Sequence, residues 1–211
     1  MPNRTACWGK HPFRLTLRPI PWQHGSMSGF LFAFIALLIT GIGARDQLLV
    51  AALAERRGQR PAALLVGAGS AAVTAAIAAA GAAFVIPLLN GSARLLVAAL
   101  ALALAGAEML IARASPTPQE PTDSLGAFAL VLFAQQLTDA ARFVLFGIAV
   151  ATGAILPAAI GGAAGGAGVV AAGWLGAGAL ARRNLIPLRR GLGAVVLALA
   201  AALALRAMGR I

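Results

Sequence analysis

Apolar residues run through this chain in long blocks, interrupted by short polar turns, with none of the two-residue alternation of a half-buried strand. The first block runs from Phe30 to Ile39 and resumes at Leu48, and a charged turn, Glu55-Arg56-Arg57-Gly58, closes it. Stretches of about 18 or more apolar residues recur after it, each long enough to cross a hydrocarbon core of about 30 Å. The blocks predict six transmembrane helices, at about 29–53, 61–85, 95–111, 125–150, 157–180 and 192–207. Pro61 opens the second at a first-turn position, where its missing N–H costs little. A membrane β-barrel would need roughly ten-residue alternating segments, which are not seen. The fold class expected is an all-α polytopic membrane protein.

Between the third and fourth blocks lies "RASPTPQEPTDS", rich in Pro, Ser and Thr as a surface connector is. It divides the chain into a basic tail (1–26), a first three-helix half (27–113), a linker (114–124) and a second three-helix half (125–211). The tail is polar and broken by prolines, and Met27 directly precedes the first block, so an internal translation start is one expectation there. The halves align with an offset of about 95 residues. "FIALLITGIGARDQLLVAAL" falls on "LVLFAQQLTDAARFVLFGIA", and Arg94 falls on Arg189 or Arg190. Three spans per half give the halves opposite orientations, so the expectation is two inverted three-helix repeats.

Composition strengthens the membrane reading. Hydrophobic residues make up 60% of the chain and charged residues 11%, against about 25% charged in a soluble domain. The net charge of +11 comes from arginines clustered between apolar runs. That is the positive-inside pattern, and it places the arginine-rich loops inside and the termini outside when the tail is discounted. No basic face alternates with aromatics, so nucleic acid is not an expected partner. The single cysteine, Cys7, excludes an internal disulfide, and both histidines, His11 and His24, precede the first block.

Two blocks carry charges inside them. Arg45 and Asp46 interrupt the first, just after Gly41, Gly43 and Ala44, and Asp139 and Arg142 interrupt the fourth. A charge within a span costs at least about 2.5 kcal/mol, so it faces a cavity or a partner. Asp139 and Arg142 are three apart and can pair on one helical face. Arg45 and Asp46 diverge by about 100°, so their partners must come from elsewhere. Mutual neutralisation and a functional site both remain open on this pattern.

At these residues the chain resembles the Gdt-type membrane proteins, a family of manganese and calcium cation/proton exchangers. Each of that family's two inverted halves carries an E-x-G-D-[KR]-[ST] motif in its first helix. Here the first copy reads Gly41-Ile42-Gly43-Ala44-Arg45-Asp46-Gln47-Leu48-Leu49 and the second Gln136-Leu137-Thr138-Asp139-Ala140-Ala141. In the first, the glycine, the basic residue, the glutamine and the leucines match; Gly41 and Ala44 stand at the two carboxylate positions and Asp46 at the hydroxyl position. In the second, the aspartate is kept, and Gln136, Thr138 and Ala140 replace the glutamate, glycine and basic residue. The resemblance runs from about Met27 to the C-terminus. It implies Asp139 and Gln136 as residues toward a transported metal ion, and Gln136, Thr138, Asp139, Thr40, Arg45 and Asp46 around a substrate site. One carboxylate with a neutral amide is a poor divalent site, because manganese and calcium want several hard oxygen donors.

The function expected from the resemblance is a divergent divalent cation (manganese or calcium)/proton antiporter in a bacterial inner membrane. The alternatives are a small-solute exporter of the amino-acid-exporter kind and a non-transporting membrane subunit or scaffold. Enzyme chemistry is not expected, since no nucleophile–base pair or paired acids can be assembled. No resident cofactor is expected beyond a transported cation. The expected partners are the lipid bilayer, a small cation or polar solute, and a second copy or homologous subunit. Glu108, near the end of the third block, reads as a residue snorkelling to the interface or as one reaching the cavity. The run "GGAAGGAG", residues 161–168, reads as a close helix-packing surface and not a phosphate loop. Trp174 reads as an interfacial anchor.

Overall fold

A computed structural model describes residues 23–111, 124–181 and 183–210. Residues 1–22 of the tail and most of the linker, with Cys7, His11 and Arg113, lie outside the described residues. The described chain is helical: α1 (Gln23–Thr40), α2 (Arg45–Arg57), α3 (Pro61–Val85, then a 3-10 turn Ile86–Leu88), α4 (Gly91–Ile111), α5 (Leu125–Leu137), α6 (Ala140–Thr152), α7 (Ile155–Leu175), α8 (Ala177–Ala181) and α9 (Ile186–Ala207).

Four helices, α3, α4, α7 and α9, are long and apolar enough to cross a membrane, and six spans result if α1–α2 and α5–α6 each count as one. These helices make the chain an integral membrane protein. Two of the expected spans are corrected by the structure. The first bends by 61° between α1 and α2, and the fourth by 52° between α5 and α6. Both breaks fall on the charged interruptions. The sixth span also starts earlier than expected, at Ile186, with Pro187 in its first turn.

The bundle is built small side inward. The buried face of α3 is Ala63, Gly67, Ala71, Thr74, Ala75, Ala79 and Ala82, close to a four-residue repeat, while Leu65, Val73, Ile77 and Phe84 point outward. With lipid outside, large apolar residues gain nothing by turning inward, and small ones let backbones approach. Helix α3 packs on α7, α4 on α9, and α7 also on α1; α6 packs against α1, α3 and α4. At the α4–α9 crossing Gly106 and Gly193 face each other, and a Cβ on Gly193 would sit 3.0 Å from the Gly106 carbonyl oxygen. The 161–168 run serves packing within the bundle, as expected. Gly161 meets the Phe30 backbone, Gly165 the Phe34 carbonyl and Gly162 the Leu145 side chain. Trp174 Nε1 donates to the Arg60 carbonyl at 3.3 Å, fastening the end of α7 to the α2–α3 turn.

Candidate functional site

The first break is made by its small residues. Gly43 has φ of 71°, a left-handed conformation that other residues adopt at a cost. Gly41 lies against Val169 of α7, and Ala44 is fully buried. The turn amide of Gly43 donates to Gln47 Oε1 at 2.8 Å, so Gln47 folds back from the next helix to satisfy the unwound backbone. Asp46 then sits in the first turn of α2 and accepts from the Gln47 amide at 2.7 Å through Oδ1. At the second break Asp139 is the N-cap of α6 and accepts from the Ala141 amide at 3.3 Å. Each break thus starts a new helix with a carboxylate at its electropositive end, where a negative charge is stabilised.

The two breaks then meet. Asp46 Oδ2 accepts from Gln136 Nε2 at 3.1 Å, joining α2 to the end of α5 across 90 residues. Arg189 of α9, 3% exposed, donates through Nη2 to Asp139 Oδ1 at 2.7 Å and to Glu108 Oε2 at 2.8 Å. Its Nη1 makes a long 3.5 Å bond to the carbonyl of Thr40, the last residue of α1. Arg45, 48% exposed, pairs with the other Glu108 oxygen at 3.5 Å. Arg142, 5% exposed, lies in the field of Asp46 and Asp139. The cluster therefore holds three acids, Asp46, Glu108 and Asp139, and three arginines, Arg45, Arg142 and Arg189. Its formal charge is zero.

Several expected roles change. The Asp139–Arg142 pair along one helix does not form, because Asp139 is engaged by Arg189 and is the cap of the helix that carries Arg142. Arg142 Nε and Nη1 have no hydrogen-bond partner. Glu108 reaches the cluster and does not snorkel. Its side chain is 16% exposed and bound by two arginines. Asp46, which an unbroken helix would turn away from its motif position, reaches Gln136 because the helix unwinds ahead of it. The Thr40 hydroxyl donates to the Ala36 carbonyl at 2.7 Å, and the exposed Thr138 hydroxyl to the Ala134 and Gln135 carbonyls at 3.1 and 3.3 Å. Both hydroxyls serve their own helices, and Thr40 joins the cluster through its carbonyl.

For a metal ion the donors fit poorly. Asp139 is held by Arg189, Gln136 gives its amide N–H to Asp46, and among the described residues no group of three His, Cys, Asp or Glu side chains could hold an ion. The Gln136 side-chain oxygen, Oε1, is left unpartnered. Arg189 and Gln47 were absent from the sequence-derived site, and Glu108 stood there only as one of two readings. Pro187 was the available signal for Arg189, since a proline at a helix start draws the two arginines after it inside the span. The half-exposed, long Arg45–Glu108 pair contributes little; Arg45→Ala is expected to change stability by less than about 1 kcal/mol in detergent unfolding. Comparison with protein families, curated proteins and solved structures gives no match to this chain.

Proposed function

We propose that the chain is a secondary transporter of the inverted-repeat kind, moving a small polar organic solute through a site between the two helix breaks. The observation that carries this reading is the meeting of two discontinuous helices at one buried, charge-balanced cluster. In such transporters the substrate binds where half-helix ends converge near the midplane. Intramembrane charges at that depth are expensive and mark a pathway or a binding site by default. The packing also supports two equivalent halves. Exchanging α1 with α5, α2 with α6, α3 with α7 and α4 with α9 maps the α3–α7 and α4–α9 packings onto themselves. It maps α3–α6 onto the similar α2–α7 packing, and α1–α7 and α1–α6 onto the smaller α3–α5 and α2–α5 packings, while α4–α6 has no comparable counterpart between α2 and α9.

The solute reading is favoured over manganese or calcium by the donor set. A divalent cation wants several oxygens with surplus negative charge. Here each acid already has an arginine or amide partner, and two helix N-termini point inward. A site offering both carboxylates and guanidinium groups suits a zwitterionic solute such as an amino acid. A bacterial inner membrane remains the proposed location, on the arginine distribution of the loops.

Proteoliposomes containing the full chain test the assignment. Counterflow of a labelled amino-acid panel should show uptake of at least one member, lost in Asp46→Asn. Proton-coupled manganese or calcium flux that vanishes in Asp139→Asn would restore the cation reading, and no flux of either class would sink the transporter assignment.

A further inference from the structure

The two halves match more closely in length than in packing. Helices α2 and α6 both have 13 residues and start 95 positions apart, at Arg45 and Ala140, and α4 and α9 start at Gly91 and Ile186, again 95 apart. The glycines that follow α2 and α6, Gly58 and Gly153, share that offset and a positive φ, 77° and 68°. The packing, by contrast, differs between the two faces of the bundle. At one face the start of α1 meets the turn after α6, where a Cβ on Gly29 would sit 2.7 Å from the Ala154 Cβ. This face is closed: α1 packs on α7 and α6, and α6 runs along α4 with Gly147 against the Ala98 carbonyl and the Ala101 side chain. The opposite face carries the exposed Arg56, Arg60 and Arg190. There the equivalent helices are looser: α5 packs less on α3 and α2, and α2 has no comparable packing on α9.

We infer, resting on the transporter reading above, that this is one of two end states and that the other exchanges the packing of the halves. In it α2 docks along α9 as α6 now docks along α4, α5 closes onto α3, and α6 withdraws from α4. The arginine-rich face is then the closed one. The helix breaks are the hinges, because the unwound backbone at Gly41–Ala44 and at Thr138 lets α2 and α6 swing without bending a regular helix. Lipid outside removes the usual penalty for separating apolar faces, so the exchange is limited by close packing of small residues. That packing makes the two states unequal. Helix α1 comes close to α7 because Gly161 and Gly165 admit the Phe30 and Phe34 backbones. The equivalent positions on α3, 95 residues earlier, are Val66 and Ser70, and Val66 packs against the cluster that holds Phe128 and Leu132 of α5. Those side chains hold α5 further off α3, so the state described here is the major one.

Double electron–electron resonance on the full chain in nanodiscs, with Cys7→Ser as background, tests the exchange. Two spin-label pairs at equivalent positions are compared: Ala93→Cys with Ala151→Cys across α4 and α6, and Arg56→Cys with Leu188→Cys across α2 and α9. The first pair should give a short major distance with a longer minor one, and the second a long major distance with a shorter minor one. Gly161→Ala crowds α1 only in the present state, so it should raise the minor fraction of both pairs by about fivefold or more. If that variant does not fold, Val66→Gly, which frees α5 to approach α3, should move both pairs in the same direction. No short population at 56/188 in wild type and in the variant overturns the inference. So does a short population there without matching lengthening at 93/151. Two populations without amino-acid counterflow would uphold the exchange and remove the solute, whereas counterflow with a single distance at each pair would overturn the exchange and keep the transporter.

Discussion

Arg189→Met should destabilise the protein by about 3–5 kcal/mol, the cost of breaking a buried ion pair from one side. The guanidinium is 3% exposed and serves Asp139, Glu108 and the Thr40 carbonyl together. Without it Asp139 keeps only the Ala141 amide at 3.3 Å, and Glu108 keeps only Arg45 at 3.5 Å. Two carboxylates are then left under-compensated at membrane depth, where each charge is costly. Arg189→Lys should recover only part of the loss, since one ammonium lacks the planar fork that reaches both acids and the carbonyl. Arg190→Met, at the exposed neighbouring position, should stay within about 0.5 kcal/mol. Unfolding in mixed SDS micelles reads all three. Equal effects at positions 189 and 190 would mean that the cluster carries no stability.

The second large effect is steric and should change sign between two glycines. A Cβ at Gly161 would be driven into the Phe30 carbonyl and backbone. A backbone atom cannot rotate aside, so α1 as a whole would have to move away from α7. Overpacking of that kind costs about 1–3 kcal/mol, which outweighs the gain of up to about 1 kcal/mol from replacing a helical glycine by alanine. Gly161→Ala is therefore expected to destabilise. Gly69, inside α3, has nothing within 4 Å of its Cβ position, so Gly69→Ala keeps the propensity gain and should stabilise slightly. The same micelle unfolding measures both. Gly161→Ala should also weaken the charged cluster, because α1 delivers the Thr40 carbonyl to Arg189. Two changes of the same sign would show that α1 and α7 do not meet as closely as described.

The hydropathy blocks located most of the helices because that signal is local. Pro61 set the start of α3 and the polar turns set its end, and the central connector fell where the blocks separated. What the blocks could not show was that two of them bend. An apolar run on both sides of a break looks continuous, and the breaks depend on Gln47 reaching back to Gly43 and on Asp139 capping α6. The latter was readable, since an aspartate just before an apolar helical run is an N-cap signal. The charged interruptions themselves were visible, but their partners were not. Asp46 finds Gln136 and Glu108 finds Arg189 over separations of 90 and 81 residues, and no periodicity encodes such pairings. The i, i+3 pairing expected for Asp139 and Arg142 presumed one uninterrupted helix, and it failed for that reason.

The direct side-chain link between the two interruptions is the bond from Gln136 to Asp46. A double-mutant cycle of Asp46→Ala and Gln136→Leu, followed by SDS unfolding, measures that bond directly. The cluster described here predicts a coupling of about 1.5 kcal/mol, the lower range for a hydrogen bond to a charged group. Effects that simply add, within about 0.5 kcal/mol, would contradict it and remove the direct link between the two helix breaks.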